Sequence, residues 1–344
     1  MHLVSLPHTQ TTRDYEWCAY TAKARKFCDM MTPRGHQITL YAGPQNDALC
    51  HEHVPCTDDL PPNGHIPRFA ADDPMFARFN EQAIEALRER VQPHDWILLS
   101  GGLAQQPIAD AFPGQTIEYG IGYGGVIPSC HHIFESYAWM HTVLGSQTGG
   151  DAHQANGRFY DAVVPNFFDP ADFPAGDGEG GYLLFVGRLI ERKGVQVAIE
   201  VAQQTGLPLK VAGAGDFPLP DWVDYRGVVG PVERAELMGG AVALLAPTTY
   251  VEPFGGVAVE AQMCGTPAIT TDWGAFPETV LAPYRCRTLA EFVRAVERAR
   301  YADRTAIRQR ALNTWALEAV APLYERVLDR LDTLHGAGWY ALPA

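Results

Sequence analysis

Tyr182-Leu-Leu-Phe-Val186 is an unbroken apolar run of strand length that passes directly into Gly187-Arg188-Leu-Ile-Glu-Arg-Lys193-Gly194. A strand with one wet face alternates polar and apolar residues, whereas one without alternation is covered on both faces. Sheets covered on both faces are mostly parallel and need crossover helices, so the fold class expected is α/β. Such sheets take ligands at the carboxyl ends of their strands, which is where Arg188 and Lys193 fall. Arg188 can fork onto two oxyanion oxygens and Lys193 can add a compact point charge. Basic residues at a strand end are also common as plain surface, and for this pair alone both readings stand.

Further along, Glu252-Pro-Phe-Gly-Gly-Val-Ala-Val-Glu260 sets two carboxylates around a Pro-Phe-Gly-Gly turn. Pro253 and the two glycines break the preceding loop and predict a helix over about 255 to 264. The first N–H groups of such a helix lack intrahelical partners and form a positive cradle for an anion. Gly255 and Gly256 let that anion approach the backbone closely. Glu260, roughly two turns from Glu252, looks along the same side. Carboxylates accept hydrogen bonds from the vicinal diols of a ribose or a pyranose. The plainer alternative is an acidic turn followed by a solvated helix glutamate.

The chain of 344 residues, 47% hydrophobic and 19% charged, is long enough for two cores. In the first half, strands are expected near 2–6, 35–41, 96–99, 115–118 and 160–164, with helices near 14–32, capped by Asp14, and 76–91. A glycine- and acid-rich stretch over 172–181 reads as a linker. Strands near 182, 208, 223, 242 and 267 then alternate with helices. An amphipathic helix over about 316 to 335 carries Leu317, Val320, Leu323, Tyr324, Val327, Leu328 and Leu331 on one stripe.

No run approaches the roughly 18 apolar residues of a membrane span, and the start Met1-His-Leu-Val-Ser-Leu-Pro has no basic leader pattern. A cytoplasmic location without stable membrane association is the expectation. The net charge of −14 gives little diffuse attraction to anionic lipid or nucleic acid. Arg13, Lys23, Arg25, Lys26 and Arg34 form a local exception, either facing a polyanion or lying on the solvated side of a helix. The seven cysteines are scattered and odd in number, as free thiols would be. Cys50-His51-Glu-His53-Val-Pro-Cys56 and Cys130-His131-His132 offer soft ligands, but their spacing matches no usual zinc pattern. Ordinary loop residues and no metal are expected there.

An ordered set of short motifs adds a resemblance. It comprises Val186-Gly-Arg188 with Lys193-Gly194, Val211-Ala-Gly213-Ala-Gly215, Arg226-Gly227-Val228-Val229-Gly230, the Glu252 to Glu260 stretch, Gly265-Thr266-Pro267, and Gly274 with Pro277-Glu278. Over roughly residues 180 to 335 the chain resembles a family 4 glycosyltransferase of the GT-B fold. The resemblance implies two Rossmann-like doubly wound domains facing across a cleft. They would be an acceptor domain over 1–170, a linker over 171–181, a donor domain over 182–315, and a helix over 316–335 returning to the first domain. It implies retaining transfer of a sugar from a UDP- or GDP-linked donor to a hydroxyl, with no metal and no further cofactor.

By the same resemblance, the catalytic set is Arg188, Lys193 and Glu252. The two cations bind the diphosphate, Glu252 with the backbone of Phe254, Gly255 and Gly256 holds the sugar, and Glu260 binds the ribose. Gly187, Gly213, Gly227, Val228 and Val257 complete the donor-binding set. Trp273 stands where the family usually has glycine, and either narrows the pocket or packs. The amino half resembles the family less. Its acceptor-side candidates are His8, Thr9 and Thr12 on a loop that departs from the family's glycine-rich one, Gly124 and Gly125 after a later strand, and His132. The acceptor is left as a saccharide, a small molecule or a hydroxymethylated pyrimidine in viral DNA. A nucleotide-sugar epimerase or phosphorylase on the same fold, or a non-catalytic nucleotide-sugar binding protein, would need a similar phosphate site.

Overall fold

The computed structural model describes residues 1–58, 68–150, 153 and 155–335. The chain divides into two compact units: Met1–Glu135 with Met140–Phe167 and the chain from Val320 on, and Ser136–Trp139 with Phe168–Ala319. The first contains a sheet of β1 (His2–Val4), β2 (Thr39–Ala42), β3 (Glu52–Pro55), β4 (Ile97–Leu99), β5 (Thr116–Ile121), β6 (His131–Phe134) and β7 (Ala162–Val163). Their spatial order is β3-β2-β1-β4-β5-β6-β7, every pair parallel. Helices α1 (Ala19–Met31), α2 (Pro74–Arg88), α3 (Gln106–Ala111) and α4 (Tyr137–Gln147) follow in chain order.

The second sheet consists of β8 (Leu183–Val186), β9 (Leu209–Ala212), β10 (Asp224–Tyr225), β11 (Ala243–Ala246), β12 (Ala268–Thr271) and β13 (Arg285–Cys286). It is also parallel throughout, in the order β10-β9-β8-β11-β12-β13. The remaining helices are α5 (Val195–Thr205), α6 (Pro231–Gly240), α7 (Gly256–Met263), α8 (Phe276–Thr279), α9 (Leu289–Ala299), α10 (Arg304–Trp315) and α11 (Leu317–Asp332). Both sheets are thus Rossmann-like, and in each the strand order reverses between the first and fourth strands of the unit, β1 beside β4 and β8 beside β11. A reversal of this kind opens a crevice at the carboxyl ends of the two strands.

The unbroken apolar runs behave as their composition demands. Leu183, Leu184 and Phe185 are sealed from solvent, and α5 adds Val195, Ala198, Ile199, Val201 and Ala202 to the same core. In the first unit the stripe of α11 is equally deep. Tyr324 meets Phe27 of α1 edge-on at 5.2 Å and Phe167 at 5.8 Å, and Val320 and Leu331 are fully buried. Among the described residues no helix is long and apolar enough to cross a membrane.

Several elements differ from expectation. The Cys50 to Cys56 segment, expected as loop, forms β3 at the sheet edge. Two of its four residues are exposed, which removes the alternation that would have marked a strand. Its side chains have local partners: Cys50 Sγ takes a hydrogen bond from Asn46, and His53 Nε2 lies 2.9 Å from the Gly43 carbonyl. Among the described residues no group of three or more His, Cys, Asp or Glu side chains is placed to hold a metal ion. Helix α1 starts five residues later than Asp14, with Cys18 as N-cap, because Arg13–Tyr15 form a 3-10 turn whose first N–H donates to Asp47.

The basic cluster is neither a solvated helix face nor a free polyanion surface. Lys23 and Arg25 are buried. Lys23 Nζ lies 2.6 Å from Glu135 Oε1 and donates to the Gly120 carbonyl. Arg25 is shared among Glu16 at 2.8 Å, Asp29 at 3.2 Å and Asp47 at 2.6 Å, and Arg34 forks onto Glu325 of α11 with two bonds of 2.7 Å. Lys23→Ala leaves a buried carboxylate unpaired and is expected to lower stability by about 3 to 5 kcal/mol. Urea unfolding checks this, and a loss below about 1 kcal/mol, the size of an exposed pair, contradicts the buried-pair reading.

Candidate functional site

The second unit gathers the sequence-selected residues at the carboxyl edge of its sheet. The loops leaving β8 and β11 flank the strand reversal and are stitched together: Thr249 N donates to the Arg192 carbonyl at 2.9 Å. The stitch aligns two of the sequence-selected side chains. Lys193 Nζ lies 3.0 Å from Glu252 Oε2 and 3.4 Å from Oε1, with both side chains largely buried. Beneath them is Tyr250, whose ring faces Lys193 Nζ at 4.9 Å and the Arg192 guanidinium at 5.3 Å. Burial, then the charge and hydrogen bond of Glu252, push the Tyr250 phenol up, while Arg192 and Arg188 oppose the shift. Arg188 itself is exposed on the loop after β8. At the end of β11 the Thr248 hydroxyl is buried without a hydrogen-bond partner in the protein.

The Pro253 to Gly256 turn leads into α7 at an N-terminus that no side chain caps. Gly255, at φ +80°, is the N-cap, and a Cβ there would stand 2.6 Å from the Phe276 ring. Only glycine combines that dihedral with that proximity. Gly274, at φ +59°, supports the same turn from the loop after β12, where a Cβ would approach the Glu252 nitrogen to 2.6 Å. The next residue, Ala275, donates its N–H to the Glu252 carbonyl at 3.0 Å. Phe254 is buried with its ring stacked near Phe168, so its side chain is core and only its backbone faces the turn. Ser136 Oγ donates to the Pro253 carbonyl at 2.6 Å, and Glu278 accepts from the N–H groups of Tyr137 and Ala138.

Beside this lies a second cluster. Gly213 N donates to the Gly227 carbonyl at 2.7 Å, and Gly187 N to Ala212 at 3.0 Å, which joins the loops after β8, β9 and β10. Val228, on the last of these, is 75% exposed. Gly256, Val257 and Glu260 are half-buried on α7. Trp273 packs: the Arg287 guanidinium lies over its ring at 5.9 Å. Sequence reasoning missed Tyr250 and Arg234, the latter pairing with Glu260. The available signals were an aromatic two residues before Glu252 and an arginine in the first turn after Gly230-Pro231.

The acceptor-side candidates belong to the first unit; all but His132, which lies within β6, follow the carboxyl ends of β1 and β5, and they differ in exposure. Gly124 and Gly125 are exposed on the loop after β5, and Thr12 is half-buried. Thr9 is buried with its hydroxyl against that of Thr21. His132 is enclosed on β6, with Nε2 2.9 Å from the Ile127 carbonyl and Nδ1 near Asp161 and Arg158. His8 is buried with Nε2 3.1 Å from Cys18 Sγ, and burial pushes its imidazole down from 6.5 to about 4. Between those values the unfolded chain binds a proton that the folded chain refuses. Stability from this group is therefore complete above about 6.5 and is lost as pH falls toward about 4. His8→Asn is expected to flatten this part of the stability curve by about 3 kcal/mol, read by urea unfolding at stepped pH. A slope unchanged by the substitution rules the buried neutral imidazole out.

Comparison with known proteins places this geometry. Residues 172–303 match the family model described as glycosyl transferases group 1. A D-inositol 3-phosphate glycosyltransferase of Arthrobacter sp. (strain FB24) is 34% identical over 119 residues, 29% of this chain and 28% of the relative. The chain aligns with only 28% to 39% of the length of the first curated relatives it matches. Among solved structures, AviGT4, a glycosyltransferase involved in avilamycin A biosynthesis, superposes with TM-score 0.67 at 20% identity, covering 96% of this chain and 97% of that one. Anabaena Alr3699/HepE in complex with UDP-glucose gives 0.64 at 15% identity, covering 96% and 99%. Over residues 172–303 the chain is thus similar to the group 1 glycosyl transferases, and its two Rossmann-like sheets share the GT-B fold of the solved neighbours.

Proposed function

We propose that the chain is a retaining glycosyltransferase that moves a sugar from a UDP- or GDP-linked donor to a hydroxyl. The single observation carrying this is the Lys193–Glu252 pair at the strand reversal of the second sheet, beside the uncapped start of α7. A cation and unpaired amides make a diphosphate seat, and a fixed carboxylate next to it suits the hydroxyls of an attached sugar. Arg188 is the second cation of that seat. The fold neighbour from Anabaena holds UDP-glucose, which supports a nucleotide sugar as the ligand class.

In the proposed step the acceptor oxygen bonds to the anomeric carbon as the bond from that carbon to the diphosphate breaks. The acceptor proton passes to the departing phosphate oxygen on the same face of the sugar, so the anomeric configuration is kept and the products are a glycoside and a nucleoside diphosphate. Lys193, Arg188 and the α7 amides offset the charge that grows on the leaving group, usually the largest catalytic contribution. Two cations with amides supply this without a metal ion. Glu252 orients the sugar and holds the Lys193 ammonium in place, while Glu260 and the Gly227-Val228 loop take the nucleoside.

The second unit is the donor unit in this reading, and the first takes the acceptor through the loops after β1 and β5. A saccharide or small metabolite fits that unit better than a modified base in DNA. Lys23, Arg25 and Arg34, which would have met the DNA backbone, are committed to Glu135, Asp47 and Glu325.

Arg188→Ala and Lys193→Ala are each expected to lower turnover by about 100-fold or more, as loss of a preorganised charge-stabilising group does, with melting temperature nearly unchanged for the exposed Arg188 and lowered for Lys193, whose loss leaves Glu252 unpaired. Nucleotide release from a panel of labelled UDP- and GDP-sugars, with and without candidate acceptors, measures it. Wild-type rates in both variants remove the diphosphate assignment. Donor conversion that needs no acceptor points instead to an epimerase or phosphorylase, and nucleotide binding without any release to a binding protein.

A further inference from the structure

We propose that Arg234 is a positioning residue that makes Glu260 selective for a ribose over a 2′-deoxyribose; this rests on the donor-site reading above. Helix α6 begins at Pro231, and its first turn carries two charged side chains that reach in different directions. Glu233 Oε1 accepts from Arg226 Nη2 at 3.2 Å, on the loop that follows β10. The next residue, Arg234, crosses to α7, where Nη2 donates to Glu260 Oε1 at 3.4 Å and Nε lies 3.0 Å from Oε2. The Nε hydrogen does not point at that oxygen, so the fork grips the carboxylate from one side without closing on it. One helical turn therefore ties the exposed loop of Gly227 and Val228 to the acid that follows it by a full strand and helix in sequence.

The chemistry of the pair sets the selectivity. An ionised carboxylate is an acceptor only, so it recognises hydroxyl groups by the number that point at it. Glutamate has three rotatable bonds, and left alone it could turn to suit a sugar presenting one hydroxyl or two. A planar guanidinium close to both oxygens, with one hydrogen bond to Oε1 and Nε 3.0 Å from Oε2, restricts the turning of the carboxylate and so the directions of its outward lone pairs. With Arg234 and Glu260 at 24% and 17% side-chain exposure, the pair is sheltered enough for that arrangement to persist. A fixed, sheltered acceptor facing a sugar that lacks one hydroxyl keeps a lone pair without a partner, and sites of this design reject such analogues strongly. A lysine in the same place would supply charge without the fork.

The test uses the full chain with UDP, 2′-deoxy-UDP, GDP and 2′-deoxy-GDP, titrated calorimetrically into the wild type, Arg234→Ala and Arg234→Lys, with melting temperatures recorded for each. The preferred wild-type ribonucleotide is expected to bind at least about 10-fold more tightly than its deoxy counterpart. In Arg234→Ala, and equally in Arg234→Lys, that preference is expected to shrink to within about 2-fold, with donor KM raised and kcat little changed. A variant that weakens both forms equally, keeping the preference, overturns the proposal and makes the arginine a plain structural or phosphate contact. Because the readout is a ratio, a general loss of stability leaves it unmoved and counts on that side too. If the wild type binds none of the four nucleotides, the donor-site reading falls and this proposal with it, whereas tight, unselective binding by the wild type overturns this proposal alone.

Discussion

The ion pair between Lys193 and Glu252 joins two loops that leave adjacent parallel strands on either side of a strand-order reversal. Its consequences reach further than its own energy. Lys193 precedes α5 and Glu252 precedes α7, so the contact fixes the entry of two helices whose N-termini both lack a side-chain cap. Uncapped N–H groups are costly when buried and useful when an anion arrives. Both helix starts follow strands of the second sheet at its carboxyl edge. The aromatic face of Tyr250 under the ammonium raises the value of the charge by keeping water from its lower side.

Electrostatics act locally in an acidic chain. A net charge of −14 offers an anion no long-range attraction, so any anion the chain binds is held by short contacts. Three of the local cations are held by carboxylates from a different element: Lys193 by Glu252, Arg226 by Glu233 and Arg234 by Glu260. Holding a cation in this manner lowers its freedom before any ligand arrives and so limits the ordering cost at binding. Arg188 differs, being exposed on the loop after β8 with its charge near Tyr250.

Much of the second unit was legible in the sequence because its signals are short-range. β8, β11 and β12 are runs of apolar and small residues, and glycines such as Gly255 and Gly274 mark backbone geometry that other residues reject. The strands that escaped, β3, β6 and β13, are short or carry His, Glu and Arg, and their pairing is settled by neighbours rather than by their own pattern. Arg234 escaped for a related reason: its partner is 26 residues away, and nothing in the local sequence states that two helices will bring them together. The basic cluster misled because charge in a sequence carries no sign of burial, and its partners Glu135 and Glu325 lie far along the chain.

That cluster explains how the first unit shapes its own loop after β5. Lys23 reaches from α1 to the Gly120 carbonyl and to Glu135, at the end of β6. Glu135 Oε2 in turn comes within 2.6 Å of where a Cβ on Gly122 would stand. The sequence Tyr119-Gly-Ile-Gly-Tyr-Gly-Gly125 is thus glycine-rich for two separate reasons. Its early glycines make room for a buried ion pair, and its late ones, Gly124 and Gly125, are exposed at the carboxyl edge of the sheet. The same buried pair that costs desolvation therefore fixes the root of the loop and leaves its tip at the surface. Binding residues carried on such a tip keep a defined position because the root cannot shift without separating Lys23 from Glu135.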